Sequence, residues 1–206
     1  MDPLNSYSVN QEDGSLTFLQ SQGGGLGVVP FFFVTAPLGH ALYATAPKLG
    51  LTEPCGFLFA WTIDFQTGLL TQVYDSQNDT SFGPLCFPGP PSFTPTNAYA
   101  YVANSGTGSL VNGLFGAAVD PATGNLTNVP GTPVATQNQL APGAVFVEPT
   151  QGKFVIELGS AFSNEFFSWA IDPATGALTQ VSGVALPITQ PNWYKAVIVA
   201  PPQPGP

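Results

Sequence analysis

Charge is what this chain of 206 residues has least of: 7% of its residues are charged, against roughly a quarter in ordinary soluble domains. It has no arginine, one histidine (His40) and three lysines (Lys48, Lys153, Lys195), and twelve acids bring its net charge to −9. A surface of that sign without basic clusters repels phosphate backbones, which excludes nucleic acid as a partner. Long apolar runs are missing too. The most apolar stretch, Val28 to Ala36, is interrupted by Pro30 and stopped by Pro37, so it is the size of a strand and far short of a transmembrane helix. Scarcity of charge can also mark disorder, but disordered chains lack aromatics, and this one is 12% aromatic.

There are two cysteines, Cys55 and Cys86. Their spacing matches no zinc or redox motif, and two ligands alone do not make a structural zinc site. A disulfide pinning two long loops is the favoured reading and points to an oxidising compartment; two buried free thiols are the alternative. The remaining surface must be neutral and polar, rich in Ser, Thr, Asn, Gln, Gly and Pro. That composition suits an extracellular or cell-surface setting, or a subunit covered by its neighbours. The first residues, Met1-Asp2-Pro3-Leu4-Asn5, form no signal peptide. Secretion would then require a leader already removed, or a longer product.

What the chain does have is a repeat. Four segments align: Tyr7 to Thr17, Thr62 to Thr71, Ala118-Val-Asp-Pro-Ala-Thr-Gly-Asn-Leu-Thr127 and Ala170-Ile-Asp-Pro-Ala-Thr-Gly-Ala-Leu-Thr179. Their glycines, Gly14, Gly68, Gly124 and Gly176, stand 54, 56 and 52 residues apart. The motif is a β-hairpin. An apolar β-branched residue ends one strand, Asp64, Asp120 or Asp172 opens the turn through its side chain, and Pro121 or Pro173 presets φ. The glycine supplies a positive φ, and Leu-Thr begins the returning strand. These aspartates therefore read as turn formers, with metal binding or acid catalysis the minority reading.

Upstream of each hairpin lie two more strands, such as Gly143 to Pro149 and Phe154 to Leu158 around the turn Thr150 to Lys153. Each unit then holds four strands, a to d, in a period of about fifty residues, and no segment carries a helical period. The expected fold is all-β, a β-propeller of four-stranded antiparallel blades forming one domain over 1–206. Blades are expected at about 28–75, 92–130 and 143–182, with a split blade made of residues 5–20 and 195–201 and a proline-rich tail at 202–206.

The stretch Pro149-Thr-Gln-Gly-Lys153-Phe-Val, followed by Phe167-Ser-Trp-Ala-Ile-Asp-Pro-Ala-Thr-Gly-Ala-Leu-Thr179, resembles the lactonase-type seven-bladed β-propeller proteins. The resemblance covers nearly all the chain, but as repeats, and repeats specify blades rather than activity. It implies a site in the cleft around a central channel, where water attacks an ester. Seven blades at this period would need roughly 350 residues. The chain is thus a fragment, a four-bladed ring, or a subunit whose terminal strands pair with another copy.

No catalytic residue, metal ligand or cofactor can be carried over from that family. His40 falls in an a–b turn at the place Lys153 takes in another repeat, and reads as a solvated turn residue. Ser109, Ser160 and Ser163 sit in Gly/Ser loops without a nucleophile elbow. Glu148 and Glu157 are the acids of most interest, because Glu157 interrupts an apolar strand and a buried carboxylate needs a partner or a raised pKa. With Asn104 they form a candidate channel site for a cation; a strand-edge acid facing water is the bland reading. Trp61 and Trp169 occupy the same position of strand c and read as packing between sheets. Trp193 and Tyr194, just before the apolar Val197 and Val199, are candidates for an interface or for stacking on carbohydrate. Asn78-Asp-Thr80 and Asn125-Leu-Thr127 match the glycosylation pattern, which is common by chance. The expected function is a non-enzymatic extracellular module that self-associates through its terminal strands into a ring or filament. Alternatives are a lactonase-like hydrolase, or a fragment of one, and a carbohydrate-binding surface module.

Overall fold

The computed structural model of the chain describes residues 4–22, 32–36, 41–47, 56–76, 85, 88–104, 113–135, 144–158 and 165–185. Among these, fifteen strands and no helix occur, in four antiparallel sheets. The chain is an all-β propeller of four-stranded antiparallel blades.

The N-terminal hairpin pairs β1 (Leu4–Val9) with β2 (Leu16–Gln22). The first full blade runs β3 (Phe32–Thr35), β4 (Ala41–Pro47), β5 (Gly56–Ile63) and β6 (Leu70–Asp75), each strand paired to the next. The second holds β7 (Ser92–Phe93), β8 (Tyr99–Asn104), β9 (Gly113–Val119) and β10 (Leu126–Asn128). It also carries β11 (Val134–Ala135), which sequence reading did not anticipate. The outer strand is broken there: β10 covers only Ala117 to Val119 of β9, and after a turn β11 covers Gly113 and Leu114. The third blade is β12 (Ala144–Val147), β13 (Phe154–Leu158), β14 (Glu165–Ile171) and β15 (Leu178–Ala185).

The four hairpins expected from the glycine spacing all form. Gly14, Gly68, Gly124 and Gly176 have φ between 71 and 75°. In the three full blades the turn aspartate accepts backbone amides, Asp64 from Gln66, Asp120 from Ala122 and Asp172 from Ala174, each at 2.8 Å. Those amide bonds hold the three carboxyls below the usual range. Asn10 takes the same place in the first hairpin, accepting from Glu12 at 2.9 Å. The residues flanking each turn also correspond: Val9 faces Leu16, Ile63 faces Leu70, Val119 faces Leu126 and Ile171 faces Leu178.

The blades stack face to face, and their seams are the core. One seam joins Tyr43, Leu58 and Ala60 of the first blade to Ala100, Phe115 and Ala117 of the second. The next joins Tyr101, Ala103 and Leu114 to Val145, Val155, Phe167 and Trp169 of the third. On its other side the first blade buries Ala44, Phe59, Trp61 and Leu70, with Leu4 of the N-terminal hairpin packed against them. That hairpin is tied down by Gln20, which accepts from the Leu70 amide and donates to its carbonyl, both at 2.8 Å.

Two devices recur across the seams. Tyr43 donates its phenol to the carbonyl of Gly124 at 3.0 Å, and Tyr101 does the same to Gly176 at 2.7 Å. Burial pushes both phenols up, Tyr43 to about 12. The second device is a β-bulge at one fixed place in three of the four sheets, beside Tyr7, Trp61 and Trp169. The bulge leaves Leu19, Val73 and Val181 outside the pairing of their strands. The first two of these lie against the turn glycine of the next blade. A Cβ on Gly68 would meet Leu19 at 2.6 Å, and one on Gly124 would meet Val73 at 3.8 Å.

Candidate functional site

The third blade contains one group that its packing alone does not require. Glu157 lies on β13 between Val145 of β12 and Phe167 of β14, and is 2% exposed. Alternation along β13 puts it on the face of Val155, which packs against the second blade, so its carboxyl stands in the seam between second and third blades. Trp169 donates its indole Nε1–H to Oε2 of Glu157 at 3.0 Å. Burial raises the carboxyl to about 7, and the indole N–H pulls the other way without cancelling it.

The first blade supplies the comparison. Trp61 there corresponds to Trp169, each facing a glutamine across the bulge, Gln72 and Gln180. Ala44, which faces Phe59, takes the place of Glu157, which faces Phe167. Trp61 is wholly buried, and among the described residues its Nε1 has no partner. The fold therefore tolerates a buried indole at this position with no acceptor, although such a group costs about 1–3 kcal/mol. The packing of a blade does not call for the acid at Glu157.

The three residues of the candidate channel site do not converge. Glu148 stands at the opposite end of the β12–β13 hairpin, where its amide bonds to the Phe154 carbonyl. Its carboxylate caps the turn, accepting from Thr150 at 2.6 Å and Gln151 at 2.9 Å. Burial is the largest single influence and pushes its pKa up, but the hydrogen bonds from Gln151, Thr150 and Lys153 together outweigh this and hold it below the usual range. Asn104 is wholly buried on β8. It shares its face with Ala100, which packs toward the first blade, while Tyr101 and Ala103 on the opposite face pack toward Glu157. Glu157 and Asn104 thus belong to adjacent seams. Among the described residues no group of three His, Cys, Asp or Glu side chains stands together that could hold a metal ion.

Trp61 and Trp169 pack between sheets, as their matching positions in strand c imply. His40, Ser109, Ser160, Ser163, Trp193, Tyr194, Val197, Val199, the terminal strand 195–201 and the Asn78 triplet lie outside the described residues. Asn125 is exposed in its turn. Cys55 and Cys86 also lie outside them; their chain neighbours Gly56 and Leu85 form an antiparallel bridge. Sequence reading missed the Trp169–Glu157 bond and the two seam tyrosines. The recurrence of tyrosine at matching places in two strands, Tyr43 and Tyr101, was the available signal for the latter.

No family model and no curated protein matches the chain. Solved structures do. A provisionally assigned 6-phosphogluconolactonase from Bacteroides uniformis aligns with a TM-score of 0.67 at 20% identity, over 90% of this chain and 49% of its own. A protein from Lactobacillus plantarum gives 0.64 at 22% identity, over 88% and 49%. A second provisionally assigned 6-phosphogluconolactonase, from Bacteroides fragilis, gives 0.64 at 19%, over 87% and 48%. Likeness at this level shows a shared fold, that of the lactonase-type propellers. This chain spans about half the length of the structures it matches.

Proposed function

We propose that this chain is one arc of a lactonase-like propeller that hydrolyses an uncharged lactone. The observation that carries the reading is Glu157, a carboxyl in an inter-blade seam that holds its proton to about pH 7. Opening a lactone ring takes a proton from the attacking water and returns one to the leaving ring oxygen. A group poised near neutrality can do both. Glu157 stands one residue before the end of β13, at the end of the strand that leads toward β14. The fold likeness to provisionally assigned lactonases supports the same class. Charge narrows the substrate. With no arginine and a net charge of −9, the chain has little with which to clamp a phosphate, so an unphosphorylated lactone fits it better than a phosphorylated one.

The test is hydrolysis of δ-gluconolactone followed by pH-stat against the buffer rate, with and without Glu157→Gln. The expected result is acceleration whose kcat/KM has an inflection near pH 7, with both acceleration and inflection lost in the variant by a factor of about 100. No acceleration over buffer, or an unchanged pH profile in the variant, would overturn the reading.

A non-enzymatic, self-assembling module is the second reading. The observation that favours it is an apolar face on the N-terminal hairpin, where Tyr7, Val9, Leu16 and Phe18 are all exposed.

A further inference from the structure

We infer that two copies of this chain join head to tail, the third blade of one seating on the N-terminal hairpin of the other. The inference goes beyond the hydrolase reading and deepens the self-assembling one, whose exposed hairpin face it shares.

The exposed face of the hairpin is made of the residues that the other blades bury against the blade before them. Val9 and Leu16 correspond to Val119 and Leu126 of the second blade, which are 7% and 2% exposed; in the hairpin they are 52% and 64% exposed. Tyr7 corresponds to Trp61 and Trp169, both buried, and is 48% exposed. The ring of Tyr7 meets Phe18 edge-on at 5.8 Å, so the four residues form one continuous apolar patch. Gly14 tells the same story. Each of the other three turn glycines is covered by a side chain of the preceding sheet, but nothing among the described residues lies within 4 Å of a Cβ on Gly14. Among the described residues, the hairpin has the back face of a blade and no blade behind it.

The third blade has the opposite gap. In the blades before it, Ala41 and Tyr99 lie over the next turn glycine, Tyr43 and Tyr101 bond its carbonyl, and the bulge residues Leu19 and Val73 press on it. Their counterparts in the third blade are Phe154, Ile156 and Val181. Phe154 and Val181 are exposed and Ile156 is partly so. This forward face is made to cover a turn glycine with an apolar residue five before it and another two after it, and the Gly14 hairpin is such a turn left uncovered among the described residues.

The occupant follows from the arc. Nine-tenths of this chain superposes on about half of a lactonase-type propeller, so its blades follow the curvature of a larger ring, and its two open faces lie apart. A second copy brings both missing partners at once. The joint is heterologous, and two copies related by a two-fold axis satisfy it twice and close a ring about as long as the matched structures.

The test is the mass of the full-length protein by light scattering over about 1–100 μM. A particle of twice 21.4 kDa is expected, with no larger species. Leu16→Glu and Val181→Glu each place a charge on one half of the joint at a position exposed in the single chain, so folding is preserved and is checked by circular dichroism. Each variant alone should be monomeric, with association weakened at least about 100-fold, and an equimolar mixture should regain a dimer through its one intact joint. A monomer of the unaltered chain, as would follow from ring closure by its own residues 186–206 or from a different partner, overturns the inference. So does a Val181→Glu variant that still dimerises, which would mean hairpin-to-hairpin contact, or a ladder of higher masses, which would mean an open filament.

Discussion

The phenol of Tyr43 donates a hydrogen bond to the carbonyl oxygen of Gly124, 81 residues further along the chain, at 3.0 Å. The contact fixes the angle between two blades by pinning a strand of one to the turn of the next. Tyr43→Phe keeps the ring and leaves a buried carbonyl without its donor, at a cost of about 1–2 kcal/mol. Urea titration should show a lower midpoint with an unchanged slope, because the surface exposed on unfolding is the same. A wild-type midpoint would mean that water replaces the phenol.

Glu157 makes stability depend on pH. Its carboxyl rises from 4.5 to about 7 on folding, so between those values the native state binds a proton that the unfolded chain does not. The contribution is fully present below about pH 4.5 and is lost as pH rises through 7, by roughly 2–4 kcal/mol. The carboxyls of Asp64, Asp120, Asp172 and Glu148 are depressed and work in the opposite sense, losing their contribution as pH falls below their ordinary values. Thermal melts should therefore show the highest midpoint near pH 4–5 and a decline toward pH 8. In Glu157→Gln the decline should flatten. If it stays as steep, another group is responsible.

The two tryptophans should respond differently to the same change. Trp61→Phe removes an indole N–H that has no partner among the described residues, so its cost is that of the smaller ring alone. Trp169→Phe also strips Glu157 of its donor. At pH 8, where that carboxyl is ionised, the second substitution should cost about 1–3 kcal/mol more than the first, and the gap should narrow at pH 5. Equal costs at both pH values would show that the Trp169–Glu157 bond contributes nothing to the fold.

Two glycines with the same φ separate backbone strain from contact between blades. Gly14 and Gly176 have φ of 73 and 75°. Alanine at Gly14 meets nothing among the described residues, so it should cost only the strain of that conformation, about 1 kcal/mol. Alanine at Gly176 would press its Cβ to 2.5 Å from the Tyr99 ring and should cost about 2 kcal/mol more. Chemical denaturation of the two variants side by side measures the difference. If the joint between copies forms, the Gly14 variant should also lose it.

Much of the scaffold was legible because it is written locally. A positive φ at a turn needs glycine whatever surrounds it, and an aspartate four residues earlier captures amides within its own turn. Gly68 and Asp64 therefore announced their hairpin from sequence alone. Glu157 also stood out, as an acid in an apolar strand. Its partner did not, because the Trp169 indole reaches it diagonally across a sheet, and spacing along the chain carries no trace of that. The seam residues were hidden for the same reason. Tyr101 and Gly176 meet only when two blades stack, and a tyrosine in a strand otherwise reads as ordinary core. The candidate cluster of Glu148, Glu157 and Asn104 failed on parity and length, with one acid at each end of a hairpin and the amide on the far face of the neighbouring sheet.

The bulge beside Tyr7, Trp61 and Trp169 is a single extra residue, yet it aims Leu19, Val73 and Val181 at whatever stands next. Three of the four sheets thus carry their own half of a hinge, complete before any neighbour arrives. Lengthening the chain by one unit would change how many wedges go round before the circle meets, and it would need no new fitting.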